Sequence, residues 1–314
     1  MRAMVYTAPL ELKLLDVDLV AAGDGEVVVK VHSSGICGSE LEGIRSQSPF
    51  RVPPLVMGHE FSGIREDTGD RVVVNPIVAC HTCDLCLRGQ ANLCRNRAVV
   101  GIHRPGGFAE RVAVPAGNCH PIPDTMSWEQ AGLVEPLAYA VHAWRLIAHT
   151  PPARVGIIGA GTIGLVALIV ARWRGTQDVA VSDLSEERLA VATRLGATET
   201  GPALEGEFDV IFDCVGAPPT RRASVELLRP GGATVWLGLH AEEPAFDSLG
   251  LTRTEKTVHG SFAYTDQDFR AAIDLATTID PFWVETFPLE RGVEIFIQLM
   301  EGRTDIVKAQ LAVS

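Results

Sequence analysis

The residues with the most chemistry to offer stand early in the chain: Cys37 in the run GICGSE, and His59 with Glu60 in the run VMGHE. A thiolate, an imidazole and a carboxylate are soft, intermediate and hard donors. That set suits a zinc ion left with one open coordination position, where it acts as a Lewis acid. Taken singly, a cysteine beside glycine is more often a small buried hydrophobe, and a histidine more often a satisfied core side chain. Gly35, Gly38 and Gly58 shift that balance, because they let the backbone come close to an ion at both places.

A second constellation follows at Cys80, Cys83, Cys86 and Cys94, with two residues between each of the first three and seven before the fourth. Four thiolates on one short loop fill all four positions of tetrahedral zinc, leave none for chemistry, and so predict a structural ion. An iron–sulfur cluster also takes four thiolates, but the bacterial run ends in cysteine-proline, and here Arg95 follows Cys94. The expectation is two zinc ions per chain, one catalytic and one structural. Seven cysteines, an odd number crowded in this way, make a disulfide framework the poorer reading.

Further on, the buried strand RVGIIG leads into Gly159-Ala160-Gly161-Thr162-Ile163-Gly164 and the apolar helix LVALIVARW. A bare GxGxxG is weak; one that follows a strand, opens a helix and precedes a second strand ending in an acid is a dinucleotide fingerprint. Gly159 permits the turn, Gly161 the close approach of pyrophosphate to backbone, and Gly164 the packing of the helix. Thr162 and Ile163 carry the helix N-terminus that faces the phosphates. Asp183, nineteen positions after Gly164, would accept hydrogen bonds from the adenosine ribose, which selects NAD; alternatively it only caps a turn. Glu186 and Glu187 precede Arg188, also placed in the cofactor set. Val215, within Cys214–Gly216, and Gly238, at the end of a later strand leading to His240, should border the same crevice.

The elements that position these groups alternate between strand and helix in the middle of the chain, which implies a parallel doubly wound sheet. Helices are expected at SEERLAVATRLG, RRASVELLRPGG, DQDFRAAIDLATT and LERGVEIFIQLMEG, with a last strand at KAQLAV. Ser127 and Ser185 read as helix N-caps.

GICGS, GHE and the EPLA segment together resemble the zinc-dependent medium-chain dehydrogenases, in their polyol (sorbitol) and threonine dehydrogenase branch, over nearly the whole chain. The resemblance implies an α/β protein whose doubly wound parallel Rossmann sheet is inserted in a discontinuous, GroES-like, mainly β catalytic domain. Residues 1–122 would hold both zinc sites, 123–261 the NAD-binding domain, and 262–314 the return to the first. It also implies that the Ser39 hydroxyl hydrogen-bonds the reacting alcohol and that Glu135 can approach the catalytic zinc. Read on its own, a glutamate in the apolar stretch LVEPLAYAVHAW needs a partner of some kind, and a salt bridge would serve as well. Whether Glu60 or Glu135 completes the ligand set stays open. Glu40 is expected to accept a hydrogen bond from the far nitrogen of His59. Glu42 departs from the many relatives with a relay histidine there, and is either a substitute relay or a solvated charge. Phe108 is either a pocket wall or core.

A net charge of -12, without a basic stripe, argues against a nucleic-acid surface, and no apolar run reaches membrane-spanning length. The opening MRAMVYTAPLELKLLDV alternates like a strand, unlike a secretory leader, so a cytoplasmic protein is expected. The resulting expectation is an NAD-dependent zinc dehydrogenase. It would oxidise a small-molecule secondary alcohol (a polyol, cyclitol or amino alcohol) to a ketone and work as a homodimer or homotetramer. A zinc-free quinone or enoyl reductase on the same fold and a non-catalytic zinc-ribbon module are the competing readings.

Overall fold

A computed structural model describes residues 1–147, 152–239 and 246–313. The chain forms two compact units, Met1–Glu135 with Thr265–Ser314, and Pro136–Tyr264. The first boundary lies later than residue 122 because the short helix Trp128–Ala131, capped by Ser127, packs on the strands Glu26–Gly35 and Glu60–Arg65 of the first unit.

The first unit is built on a mainly antiparallel sheet. Its strands run in the order Cys119–Pro121, Arg71–Val74, Glu60–Arg65, Glu26–Gly35, Lys308–Ala312 and Val284–Pro288, with Arg111–Pro115 also on Glu26–Gly35. Period-two alternation sends Val27, Val29 and Val31 inward, where they meet Phe61, Phe108 and Leu311. Phe108 is therefore core. Two pairings fix the metal region: Gly35 stands opposite Glu60 on one side and opposite Gln310 on the other, so both ends of the chain meet at Cys37.

The second unit carries a six-stranded, wholly parallel sheet. Numbered by sequence within the unit, its strands Arg154–Ile158, Asp178–Ser182, Glu199–Gly201, Phe208–Asp213, Leu228–Trp236 and Thr257–Gly260 lie in the order 3-2-1-4-5-6. This is the doubly wound dinucleotide-binding order, with its switch point between Arg154–Ile158 and Phe208–Asp213. Every residue of Phe208–Asp213 is buried, as a strand covered on both faces requires.

One expected helix is shorter than its sequence suggests. It spans Pro218–Glu226, and RPGG belongs to the following strand, where the ladder to Phe208–Asp213 skips from Leu228 to Ala233. Pro230 cannot donate to a helix and disfavours helical backbone at Arg229, so the segment becomes a bulge. Near the C-terminus, Leu289–Arg291 forms a separate 3-10 turn before the helix Gly292–Met300.

Candidate metal centres and dinucleotide site

Cys37 is the N-cap of helix Gly38–Arg45, and His59 immediately precedes strand Glu60–Arg65. One ligand atom from each of Cys37, His59 and Glu60 lies within 4.8 Å of the others. Glu40, fully buried one turn beyond Cys37, takes the Nδ1 proton of His59 at 2.9 Å and also accepts from the amides of Gly58 at 2.9 Å and Cys37 at 3.1 Å. The imidazole is thereby turned with Nε2 toward Cys37, where it can meet a metal. Burial alone would push the Glu40 carboxyl up, but the charges of His59 and Arg51 and the Cys37 amide outweigh it and hold the group below its ordinary range. Burial likewise opposes protonation of His59, yet Glu40 and Cys37 draw it well above the usual imidazole value. A place that draws a proton onto His59 is electrostatically suited to a cation.

The sequence reading missed Lys308. Its side chain is fully buried, its Nζ donates to the Ile36 carbonyl at 3.1 Å, and it forms an ion pair with Glu60. Burial alone would lower this lysine, but the charges of Glu60 and Cys37 overcome it and raise the group above its ordinary value. A lysine opening the mostly apolar strand KAQLA was the available signal.

Ser39 lies beside the cluster, its hydroxyl donating to Cys37 Sγ at 3.4 Å and accepting from Arg51 Nη2 at 3.3 Å. Glu42 does not join it. Its carboxylate takes the Arg45 guanidinium at 3.1 Å on the exposed side of the helix. Glu135 is half-buried in the first turn of helix Val134–Arg145 and is not among the three clustered ligands. His103 accepts a hydrogen bond from the amide of Val99 at 3.1 Å, and His240 lies outside the described residues.

The four cysteines of the second constellation converge as their spacing predicts. Sulfur separations are 3.4 Å for Cys80–Cys94, 3.9 Å for Cys83–Cys94 and 4.0 Å for Cys80–Cys86. A tetrahedron with Zn–S bonds of about 2.3 Å has edges of about 3.8 Å, so the four sulfurs fit zinc. Hydrogen bonds from the backbone and hydroxyl of Thr82 pull Cys80 down to about 5, while burial and the neighbouring thiols push Cys86 up to about 12. Four thiols this close cannot all ionise without a cation among them. Cys119 is a separate half-buried thiol, pushed up to about 11 by burial.

In the second unit, Gly159 sits at φ +95, and a Cβ on Gly164 would come within 1.7 Å of the Gly159 carbonyl oxygen, so turn and helix close tightly only with glycine. Gly161 is the N-cap of the twelve-residue helix Thr162–Trp173, and a Cβ there would meet nothing within 4 Å. The first intrahelical bond is from Leu165 to Gly161, leaving the amides of Thr162 and Ile163 as donors into that open space. A pyrophosphate fits this cradle. Asp183 accepts from the Ala160 amide at 2.7 Å with one oxygen and from the Ser185 amide at 2.9 Å with the other. It therefore caps its turn and ties down the glycine loop, and each oxygen retains capacity for a ribose hydroxyl. Arg188 Nη1 stands 3.8 Å from Asp183. Val215 and Gly238 are neighbours: a Cβ on Gly238 would lie 2.2 Å from the Val215 carbonyl carbon. Asp213 organises that corner by accepting from the amides of Val215 and Gly216, both at 3.0 Å, and pairing with the buried Arg221 at 3.1 Å.

Residues 23–124 match the family model described as alcohol dehydrogenase GroES-like domain, and residues 162–278 match that described as zinc-binding dehydrogenase. The chain is 31% identical to L-galactonate-5-dehydrogenase of Escherichia coli K12, with 98% of each chain covered. It is 30% identical to sorbitol dehydrogenase of Macaca fascicularis over 96% of this chain and 93% of that one. Among solved structures it is similar to a short chain alcohol dehydrogenase (rspB) from E. coli CFT073 complexed with NADH. That match has a TM-score of 0.93 and 28% identity, and covers 100% of this chain and 99% of the other.

Proposed function

This chain belongs to the zinc-dependent medium-chain dehydrogenases, and from that premise we propose that it oxidises a secondary alcohol to a ketone with hydride transfer to NAD. The observation that carries the reading is the convergence of Cys37, His59 and Glu60, with the Ser39 hydroxyl 3.4 Å from the Cys37 sulfur. Zinc held by these three residues supplies a Lewis acid that brings an alcohol's ionisation toward neutral pH, and NAD supplies the hydride acceptor. The chain does the rest by position and charge. Glu40 fixes the His59 tautomer, Lys308 balances Glu60, and the Ser39 hydroxyl takes the alcohol's proton while passing its own on toward solvent.

The alcohol class we favour has polar groups on the carbons flanking the hydroxyl, as polyols, cyclitols and amino alcohols do. The galactonate and sorbitol named in two relatives are polyhydroxylated, which supports it. Asp183 supports NAD over its 2'-phosphorylated form. The sulfur tetrahedron supports a second, structural zinc, giving two per chain. All seven cysteines are free thiols, which suits a reducing cytoplasm. No helix among the described residues is long and apolar enough to cross a membrane. A homodimer or homotetramer is the assembly we expect, and sedimentation would read it directly.

Cys37→Ser tests the assignment. The variant should lose turnover while keeping its fold and the four-cysteine zinc; wild-type activity in it would end the reading. A panel of polyols, cyclitols, amino alcohols and simple alcohols with NAD tests the substrate class. Faster oxidation of long primary alcohols than of any polyhydroxylated compound would reject that class.

A further inference from the structure

Three lysine or arginine side chains among the described residues are buried: Lys308, Arg221 and Arg51. Lys308 is paired with Glu60, and Arg221 with Asp213. Arg51, 8% exposed, has no carboxylate within ion-pair distance among the described residues. Among the described residues its side chain makes one hydrogen bond, from Nη2 to Ser39 Oγ at 3.3 Å, and its buried Nε has no partner there. The nearby Glu40 carboxylate feels the charge but is already committed to His59 and to the amides of Gly58 and Cys37.

A guanidinium presents five donors in a planar fork that matches a carboxylate or phosphate. Taking one out of water without a counter-charge is costly. Here that cost is borne beside the metal ligands, since Arg51 touches Ser39 and Ser39 touches Cys37. The helix Gly38–Arg45 makes room for it at Gly43, where a Cβ would stand 2.6 Å from Arg51 Nη1. The position is thus built to hold a cation whose partner comes from outside the chain.

We propose that Arg51 binds an oxyanion group on the substrate, so that the alcohol oxidised is a polyhydroxylated acid or phosphate ester in place of a neutral polyol. This rests on the dehydrogenase reading above and narrows its substrate class. The anion would pair with the Arg51 guanidinium from the side on which Nη2 reaches Ser39, while a hydroxyl further along the same molecule reaches the Cys37, His59 and Glu60 cluster. No new bond chemistry is required.

The experiment compares galactitol, galactonate and galactitol 1-phosphate, which share six carbons and differ in their terminal group, as substrates of the zinc-loaded enzyme with NAD. Wild type should favour one anionic compound over galactitol by at least tenfold in kcat/KM; which one wins tells carboxylate from phosphate. Arg51→Gln should raise KM for that compound by tenfold to a hundredfold and leave the KM for galactitol and for NAD within about threefold, any loss of kcat through Ser39 being shared by all three substrates. An equal fall in kcat for all three with their KM ratios unchanged would mean that Arg51 only orients Ser39, and a raised KM for NAD would move its partner to the cofactor. Either result overturns the proposal. So does a wild type that prefers galactitol, a comparison that stands even if Arg51→Gln fails to fold. Calorimetric titration of both proteins with galactonate and galactitol 1-phosphate separates the two readings. Arg51-dependent binding without turnover would sustain the anion site and sink the dehydrogenase reading; turnover of galactitol without discrimination would do the reverse.

Discussion

Lys308 forms a buried ion pair with Glu60 although 248 residues separate them in the chain. The strand Lys308–Ala312 pairs antiparallel with Glu26–Gly35, whose other neighbour is Glu60–Arg65, so the sheet register alone sets the lysine against the carboxylate. A cation already beside a candidate metal ligand means that metal-free protein keeps Glu60 neutralised. Lys308→Met should therefore destabilise chelator-treated protein by about 3–5 kcal/mol, the usual cost of stranding one partner of a buried pair. With zinc present the loss should be smaller, because the ion supplies the missing positive charge. Urea unfolding with and without zinc reads both, and an identical loss in the two conditions would show that Glu60 does not face the metal.

Metal removal should act differently at the two centres. Elemental analysis is expected to give about two zinc ions per chain, falling to about one in Cys83→Ser and in Cys37→Ser. Only Cys83→Ser should also lower the melting temperature markedly, because a four-thiolate ion contributes directly to folding. Full metal content in Cys83→Ser would remove the tetrahedral assignment.

Asp183 can be dissected with two replacements. Asp183→Asn keeps an acceptor for the Ala160 or Ser185 amide but loses the charge that would repel a 2'-phosphate. It should narrow the preference for NAD over NADP by roughly tenfold without a large change in stability. Asp183→Ser should weaken NAD further and destabilise the glycine loop by about 1–2 kcal/mol, the worth of two turn hydrogen bonds. Equal kcat/KM with both cofactors in the unmodified enzyme would leave Asp183 with the turn alone.

Acid should weaken the fold through His120. This ring is buried against Phe269, and its Nε2 stands 3.1 Å from Asp266 without hydrogen-bond alignment. Burial lowers its pKa more than Asp266 raises it, and His103 shifts the same way through burial and Arg97. A depressed folded pKa means that the unfolded chain binds more protons below about pH 6.5. Stability is then full above that pH and declines as pH falls toward the folded value. Carboxylates held low, such as Glu26 beside Arg104, act only in a lower window, below their unfolded values near 4.5. His120→Gln should flatten the loss of stability between pH 6.5 and 5; an unchanged slope would acquit His120.

What the sequence determined by itself is the chemistry that is local. Cys80, Cys83, Cys86 and Cys94 lie on one short loop, so their spacing already dictates a tetrahedron. Gly159, Gly161 and Gly164 are legible for the same reason, since turn, cradle and helix packing are decided within six residues. The pairing of Cys37 with His59 and Glu60 was readable from donor type. Tertiary structure alone decided the counter-charges. Lys308 reaches Glu60 through a sheet register that no local pattern encodes, and Arg51 reaches Ser39 across the helix that Cys37 caps. Donor sets near in sequence are fixed by short-range geometry, whereas the charge around them is fixed by whichever distant strand or loop the core packs beside them.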